Sequence, residues 1–215
     1  GTLSDYAGLI LSLHALYEID FSSVIYAHMR SLFSQLKNQF ASEKPFYFDS
    51  AKDITNLIVR PRSLQDNAIP SGNALAAHVH WLFWNYEYDE SIRNDLEEMI
   101  SEIADQVDRY PNHFGYWLQI ADRHSQKVSQ IALVTENEPD SLNPFLTKYY
   151  RNYHPYSVIA AQSQQDTGEK IPALLKDKTA VNHQPAAYIC DNFTCQRPII
   201  DPEAFIEALM NVDKQ

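Results

Sequence analysis

The chain changes character at Asp66-Asn67-Ala68-Ile69-Pro70-Ser71-Gly72-Asn73, where an irregular stretch gives way to an apolar segment ending near residue 86. Pro70 holds Ile69 out of the helical region, so no helix continues through this point. Ser71 is suited to accept a hydrogen bond from the first turn of a following helix. The segment therefore predicts a tight loop that opens the third helix of the chain. The side chains of this helix predicted to face inward are Leu75, Val79, Leu82, Phe83 and Tyr86.

Apolar residues recur at helical spacing on both sides of this loop. Upstream, they predict helices over residues 5–19 and 23–40; downstream, they predict helices over 90–109 and 113–127. Helices of similar length joined mostly by short turns favour antiparallel hairpins. We therefore predict a helical domain of such hairpins over residues 1–127.

The pattern becomes extended in residues 128–215, which we predict to form a small α/β unit. Short apolar runs at 131–134, 157–160 and 187–190 predict about three strands, and residues 141–153 predict a helix between the first two. A strand, a helix and a second strand in this order predict one parallel crossover.

Three further stretches complete the predicted organisation. Residues 46–48 and 57–59 resemble short strands, and residues 162–185 resemble a long polar loop. Asp201 and Pro202 open a final predicted helix that ends near residue 211.

Composition excludes several classes of function. The formal charge is −11, and the scattered basic residues form no stripe that could bind nucleic acid. No apolar run approaches the roughly 18 residues of a membrane span. The amino terminus shows no basic-then-apolar signal pattern and opens abruptly inside a predicted helix. We therefore expect a cytoplasmic protein that binds neither nucleic acid nor membrane, and a parent chain that continues upstream.

Cysteine and histidine give no pattern for a metal or a cofactor. Cys190 and Cys195 are too few to close a zinc site, and their spacing differs from the thioredoxin-type motif. Free structural thiols are the favoured interpretation, and the alternatives are a local disulfide and metal or redox chemistry. His78 and His80 point in different directions on a helix because they are two residues apart. We therefore expect no metal and no cofactor.

The loop that opens the third helix is the first candidate site. A helix N-terminus offers free N–H groups to a negatively charged or polarised oxygen, and Gly72 permits a close approach. Asp66 would be a catalytic group there, and Ser71, Gly72 and Asn73 would bind substrate. Taken alone, the segment favours a structural interpretation, in which Ser71 caps the helix, Gly72 allows tight packing and Asp66 bonds to the loop.

Asp5 and Tyr6, at the start of the first helix, form the second candidate. If the loops at one end of the helices converge on a cleft, Asp5 and Asp66 could act as acid and base on a sugar, with Tyr6 and Arg60 binding it. A carboxylate in a first helical turn is also expected from the helix dipole alone.

Four segments resemble the C-terminal region of the spermatogenesis-associated, thioredoxin-like-domain family, which includes bacterial YyaL-type members. The segments are Leu3-Ser4-Asp5-Tyr6-Ala7 with Leu16-Tyr17-Glu18, Leu57-Ile58-Val59-Arg60-Pro61-Arg62, residues 66–73, and a tail comprising Ala187-Tyr188-Ile189-Cys190, Phe193-Thr194-Cys195, Pro198 and Asp201-Pro202-Glu203. The resemblance implies a mainly α fold: a partial (α/α)6 toroid like that of six-hairpin glycosidases, followed by the small α/β unit. It also implies a thioredoxin-like domain upstream in the same parent protein.

Two functions compete on these grounds. One is a non-catalytic scaffold or binding domain that serves the upstream redox domain. The other is a sugar-directed enzyme, similar to glycosidases or N-acylglucosamine 2-epimerases, with a carbohydrate ligand bound by Asp5, Asp66 and their neighbours.

Association is the last expectation. A partial toroid leaves an open side, and the third helix carries a segment that is apolar almost all round, His80-Trp81-Leu82-Phe83-Trp84. We expect this helix to be covered by a second copy of the chain, as a homodimer, or by the α/β unit. Burial of both tryptophans between adjacent helices is the alternative.

Overall fold

The computed structural model describes residues 1–43, 45–163, 171–192 and 194–212. Its first five helices lie where the sequence predicts them. They are α1 (Leu3–Asp20), α2 (Ser23–Gln39), α3 (Gly72–Glu87), α4 (Glu90–Arg109) and α5 (Gly115–Ser125). The mainly α character of the chain is thereby confirmed.

Short connections join α1 to α2 and α3 to α4, and both use the same turn chemistry. Phe21 and Tyr88 follow the first helix of each pair in the left-handed conformation, with φ values of 53° and 60°. Their N–H groups donate to the carbonyls of Tyr17 and Trp84, which closes the last turn of each helix. The next helix then starts within a few residues, so each pair forms a hairpin.

The centre of the molecule is α3, which packs against α1, α4, α5 and strand β2. Trp81 and Trp84 are only 2% and 6% exposed. The Tyr86 hydroxyl donates to the Ile159 carbonyl at 2.9 Å, which joins α3 to the α/β unit. Neighbouring helices and the α/β unit of the same chain therefore cover α3, as two of the three expected arrangements have it, and the homodimer stays a prediction.

The α/β unit contains a four-stranded mixed sheet in the order β2-β1-β3-β4. Strands β1 (Ser129–Thr135) and β2 (Ser157–Ser163) are parallel and are joined through helix α6 (Asn143–Tyr150), which confirms the predicted crossover. Strand β3 (Ala186–Asp191) runs antiparallel to β1. The last elements are the two-residue strand β4 (Thr194–Cys195), which was not predicted, and helix α7 (Pro202–Val212).

The predicted strands before α3 are wrong. Residues 46–48 contribute one isolated bridge, between Tyr47 and Ala41, and residues 57–59 form no strand. Ile58 is fully exposed and Val59 is 75% exposed. An apolar run becomes a strand only where a partner strand can accept its hydrogen bonds, and this loop has none among the described residues.

Cys190 and Cys195 form a disulfide, so the favoured free-thiol interpretation is wrong. The register of β3 and β4 places the two residues opposite each other, which makes the bond geometrically accessible. Phe193, between them, lies outside the described residues.

The predicted loop over residues 162–185 is only partly described, because residues 164–170 fall outside. Its described part includes a 3₁₀ turn (Ala173–Leu175) in which Leu174 and Leu175 are buried. Across the described part of the chain, no helix is both long and apolar enough to cross a membrane.

Candidate functional site

The N-terminal ends of α1, α3 and α5 meet at one place, which we call the N-terminal junction. It comprises the first turns of these helices together with loop residues 47–50 and 60–71. A Cβ placed on Gly72 would stand 3.0 Å from Ser4 Oγ and 3.1 Å from Leu3 Cδ2. The missing side chain at Gly72 therefore permits α1 and α3 to approach closely.

Asp66 joins the start of α3 to the start of α5. One carboxylate oxygen accepts the N–H of Ser71 at 2.9 Å, and the other accepts the N–H of Tyr116 at 2.8 Å. The N–H of Asp66 donates to the His113 carbonyl at 2.8 Å. Helix starts carry unpaired N–H groups and partial positive charge, so a carboxylate between two of them is stabilised. Asp66 thus positions both helices.

Ser71 and Asn73 connect α3 to the loops around it. Ser71 Oγ accepts the N–H of Ala74 at 3.2 Å and donates to the Leu64 carbonyl at 3.0 Å. Asn73 is fully buried. Its Oδ1 accepts the N–H of Tyr47 at 2.8 Å, and its Nδ2 donates to the Tyr47 carbonyl at 3.0 Å. Both side chains are therefore engaged by backbone groups of the same chain.

Arg60 and Tyr6 also make internal contacts. Arg60 Nη2 donates to the Ser50 carbonyl at 2.5 Å, and its guanidinium lies 4.1 Å from the centre of the Phe48 ring. Tyr6 packs edge-on against Phe40 at 5.2 Å between ring centres. Arg60 Nη2 also donates to the Gln39 carbonyl at 3.3 Å, which holds the loop before α3 against the end of α2.

Asp5 belongs to a capping box at the start of α1. Its Oδ2 accepts the N–H of Thr2 at 2.7 Å, and its N–H donates to Thr2 Oγ1. The hydrogen bonds from Thr2 lower the pKa of the Asp5 carboxyl below its ordinary value. Asp5 is an exposed, ionised cap.

A polar groove of about 640 Å³ runs beside the junction, and Asp66 is the predicted site residue that lines it. Its other lining residues include Arg62, Gln65, Gln106 and His113. The structure therefore does not bring Asp5 and Asp66 together in this groove. The geometry matches the structural interpretation of the junction.

Further along the same helices lies a second group of polar side chains, which the sequence analysis missed. We call it the polar cluster, and its members are His14 and Glu18 on α1, His78 on α3, and Tyr116 and Arg123 on α5. His14 Nε2 lies 3.7 Å from Glu18 Oε1. His78 contacts both members from α5: its Nδ1 lies 2.7 Å from the Tyr116 hydroxyl, and its Nε2 lies 3.2 Å from Arg123 Nη1.

The hydrogen-bond partners determine the proton positions on both histidines. Arg123 can only donate, so Nε2 of His78 accepts and Nδ1–H donates to the Tyr116 oxygen. The Tyr86 hydroxyl donates to the Ile159 carbonyl, so Nε2–H of His14 donates to the Tyr86 oxygen at 3.0 Å. The Tyr116 O–H therefore remains available as a donor.

Burial shifts the pKa values of the cluster strongly. Desolvation, assisted by the charge of Arg123, lowers the pKa of His14 to about 4 and that of His78 to about 3. Desolvation raises the pKa of Glu18 to about 7 against the opposing effect of Arg123. Both histidines are therefore neutral at pH 7, and the Glu18 carboxyl titrates near neutrality. Such values occur often at functional sites.

The spacing of these residues in the sequence already indicates part of the polar cluster. His14 and Glu18 are four residues apart, and Tyr116 and Arg123 are seven apart, so each pair shares one face of its helix. Within the described ranges, no group of three or more His, Cys, Asp or Glu side chains could hold a metal ion.

The architecture is thus a mainly α chain of helical hairpins with a small mixed sheet, in which helices α1, α3 and α5 start at one junction. No protein-family model matches the chain. Among curated proteins, the chain is similar to spermatogenesis-associated protein 20 of Homo sapiens, with 23% identity over 207 residues. The same protein of Rattus norvegicus is 24% identical over 212 residues.

These similarities are distant but extend over almost the whole chain. The human alignment covers 94% of this chain and 26% of the human protein, so the chain spans about a quarter of the length of the relatives it matches. Weak homology over this extent is consistent with the family resemblance carried by the sequence motifs.

Proposed function

We propose that the chain is the C-terminal part of a protein related to spermatogenesis-associated protein 20, in which it acts as a non-catalytic scaffold or binding domain beside a thioredoxin-like domain. The observation that carries this proposal is the state of Asp66. Both of its carboxylate oxygens accept backbone N–H groups, from Ser71 and Tyr116. A general acid or base must present its carboxyl group to the substrate, whereas these two bonds direct both oxygens of Asp66 toward the backbone of α3 and α5.

The helical arrangement supports a further part of the proposal, that the hairpins belong to a partial (α/α)6 toroid. Helices α1, α3 and α5 start at one junction, and α2 and α4 return the chain between them. Alternating helices of this kind are what stacked α/α hairpins produce.

We further propose that the loop before α3 contacts the thioredoxin-like domain. Its apolar side chains Leu57, Ile58 and Val59 are exposed, with Ile58 fully so. Contiguous exposed apolar side chains mark interaction surfaces more often than they mark ordinary surface. A charge introduced at Ile58 would therefore disrupt the contact without disturbing a packed core.

The test is association in solution. The chain is titrated by calorimetry with the separately expressed thioredoxin-like domain of the same reading frame. We expect saturable binding that Ile58→Asp weakens by about tenfold or more. Thr55→Asp, at an exposed position of the same loop, is the matched control and should bind like the original chain. Failure of the original chain to bind would overturn the scaffold proposal.

The sugar-directed alternative is tested separately, by measuring hydrolysis and epimerisation of a panel of sugars. We expect no turnover. Turnover that Asp66→Asn abolishes, and that Ser71→Ala largely retains, would establish catalysis by Asp66 and contradict a non-catalytic role. Ser71→Ala is the suitable control because it also disturbs the start of α3.

A further inference from the structure

The polar cluster contains an arginine, Arg123, that forms no ion pair with a described carboxylate. Arg123 donates to His78 Nε2 at 3.2 Å and lies 5.3 Å from the centre of the Trp81 ring. Throughout the described residues, no Asp or Glu oxygen lies within ion-pair distance of Arg123. A half-buried guanidinium has five N–H donors, and a neutral imidazole accepts from only one of them.

A second arginine of the same molecule shows what a balanced arrangement looks like. Arg93 on α4 lies 5.3 Å from the centre of the Trp84 ring, the same distance as in the Arg123 and Trp81 pair. Arg93, however, also bonds to Glu97 at 2.8 Å. The two arginines lie at the same distance from their tryptophan rings, and the pairs differ in that Arg93 also has a carboxylate partner, Glu97. Among the described residues, Arg123 therefore lacks the carboxylate within ion-pair distance that Arg93 has.

The surrounding groups are also arranged to donate. His78 gives its Nδ1–H to the Tyr116 oxygen, so the Tyr116 O–H is directed to another acceptor. Tyr116 and Arg123 both contact His78 from one face of α5. A hydroxyl donor and a guanidinium on one face are suited to an oxyanion, which accepts from both.

We propose that the polar cluster binds the oxyanion group of a small ligand, a carboxylate or a phosphate, through the Arg123 guanidinium and the Tyr116 hydroxyl, with the Glu18 carboxyl at its edge. Tyr116 and Arg123 are half-buried, and the side chains of His14 and Glu18 are 18% and 30% exposed, so a ligand can reach the cluster from solvent. This site is separate from the loop that we propose for the thioredoxin-like domain, so either proposal can fail alone.

The protonation of Glu18 then controls affinity. The groups that face Glu18 are His14 on its own helix, Tyr86 on α3, Arg123 on α5 and Tyr150 on α6. Between pH 6 and 8, His14 and both tyrosines are neutral and Arg123 is charged, so Glu18 is the group that changes. Because its pKa is about 7, Glu18 becomes a repelling anion as the pH rises through that range.

The experiment is a titration of the full chain with sodium sulfate, whose charge is constant between pH 6 and 8. Binding is followed by calorimetry and by the NMR signal of the Trp81 indole. We expect saturable binding that weakens from pH 6 to pH 8. Arg123→Gln should lower the affinity by about tenfold or more, because a charge-assisted bond is lost. Tyr116→Phe should lower it less, and Glu18→Gln should remove the pH dependence.

Arg93→Gln is the matched control, since it removes an equivalent arginine stacked on Trp84, and it should leave affinity unchanged. Arg123→Lys retains the charge and should retain part of the affinity, which separates loss of binding from loss of folding. Acetate and inorganic phosphate, titrated at pH 7, distinguish a carboxylate ligand from a phosphate ligand. The proposal is overturned if none of the three anions saturates, or if Arg93→Gln weakens binding as much as Arg123→Gln.

Discussion

The N-terminal junction and the polar cluster lie on the same three helices, yet their polar groups have different partners. At the junction, the Asp66 carboxylate and the Asn73 amide bond to backbone N–H and carbonyl groups. In the cluster, the contacts of His78 and Arg123 are with other side chains. Backbone partners are fixed by the fold, whereas side-chain partners can exchange for a ligand.

This difference in hydrogen-bond partners distinguishes the Asp66 carboxylate, which has a structural role, from the Glu18 carboxyl, which is available to a ligand. Asp66 accepts two N–H bonds, which hold its carboxylate in place. The Glu18 carboxyl has the His14 ring as its side-chain contact, and its pKa is raised by burial. The motif of residues 66–73, which is conspicuous in the sequence, therefore builds the helix junction, and the carboxyl group with the raised pKa lies in the less conspicuous cluster.

The largest expected effect is on the junction. Asp66→Ala leaves the N–H groups of Ser71 and Tyr116 without their acceptor, so we expect the free energy of unfolding to fall by about 3 kcal/mol. Urea denaturation followed by circular dichroism measures it. Asp5→Ala removes an exposed cap at the start of α1, and it should lower the free energy of unfolding by clearly less than Asp66→Ala does. Equal losses in the two variants would contradict the bridging role of Asp66.

The second effect concerns the polar cluster, and it is a change in how the free energy of unfolding depends on pH. The pKa of His78 falls from 6.5 in the unfolded chain to about 3, so its contribution to stability is present above pH 6.5 and is lost as the pH falls toward 3. When the pH falls from 7.5 to 5, we expect the free energy of unfolding of the original chain to fall by about 2 kcal/mol more than that of His78→Gln. Urea denaturation at both pH values measures this.

The control for this measurement is His28→Gln, at an exposed position of α2. It should retain the pH dependence of the original chain. A His78→Gln variant with the same pH dependence as the original chain would show that His78 protonates freely in the folded state.

The third effect compares two glycines. Gly72→Ala brings a Cβ within 3.0 Å of Ser4 Oγ, so we expect a loss of about 1–2 kcal/mol at the contact of α1 with α3. In Gly8→Ala, inside α1, the added Cβ meets nothing within 4 Å. Because alanine has the higher helix propensity, this variant should be more stable by about 0.5–1 kcal/mol. Thermal unfolding of both variants gives the comparison. A stabilising Gly72→Ala would mean that the junction is loosely packed.

Much of the fold follows from local pattern. The five helices of residues 1–127 and the parallel crossover are set by spacing of apolar residues, which is a property of neighbours in sequence. The two-residue strand β4 is too short to carry such a pattern. The run Leu57-Ile58-Val59 carried a strand pattern but lies exposed, since strand formation needs a partner that composition does not reveal.

The polar cluster likewise depends on contacts between distant parts of the chain, which local sequence patterns do not reveal. The pairs His14 with Glu18 and Tyr116 with Arg123 could be found from helical spacing, but their meeting at His78 depends on packing between α1, α3 and α5. The contact of His78 with Arg123 spans 45 residues. The structural interpretation of Ser71 and Gly72, by contrast, was accessible from sequence because capping and close approach are local.

The smallest expected effect is at Glu18, and its sign is the sharpest test of the comparison. Its folded pKa of about 7 exceeds the ordinary value of 4.5, so the folded state binds the proton more tightly. Glu18 therefore contributes stability below pH 4.5 that is lost as the pH rises through 7. Gln is neutral at every pH and avoids this loss. Relative to the original chain, Glu18→Gln should become more stable by about 1 kcal/mol between pH 5 and pH 8, after allowance for partial exposure. Urea denaturation at the two pH values measures the difference. A change of opposite sign would mean that the fold stabilises Glu18 as a carboxylate, and it would remove the distinction between the two regions.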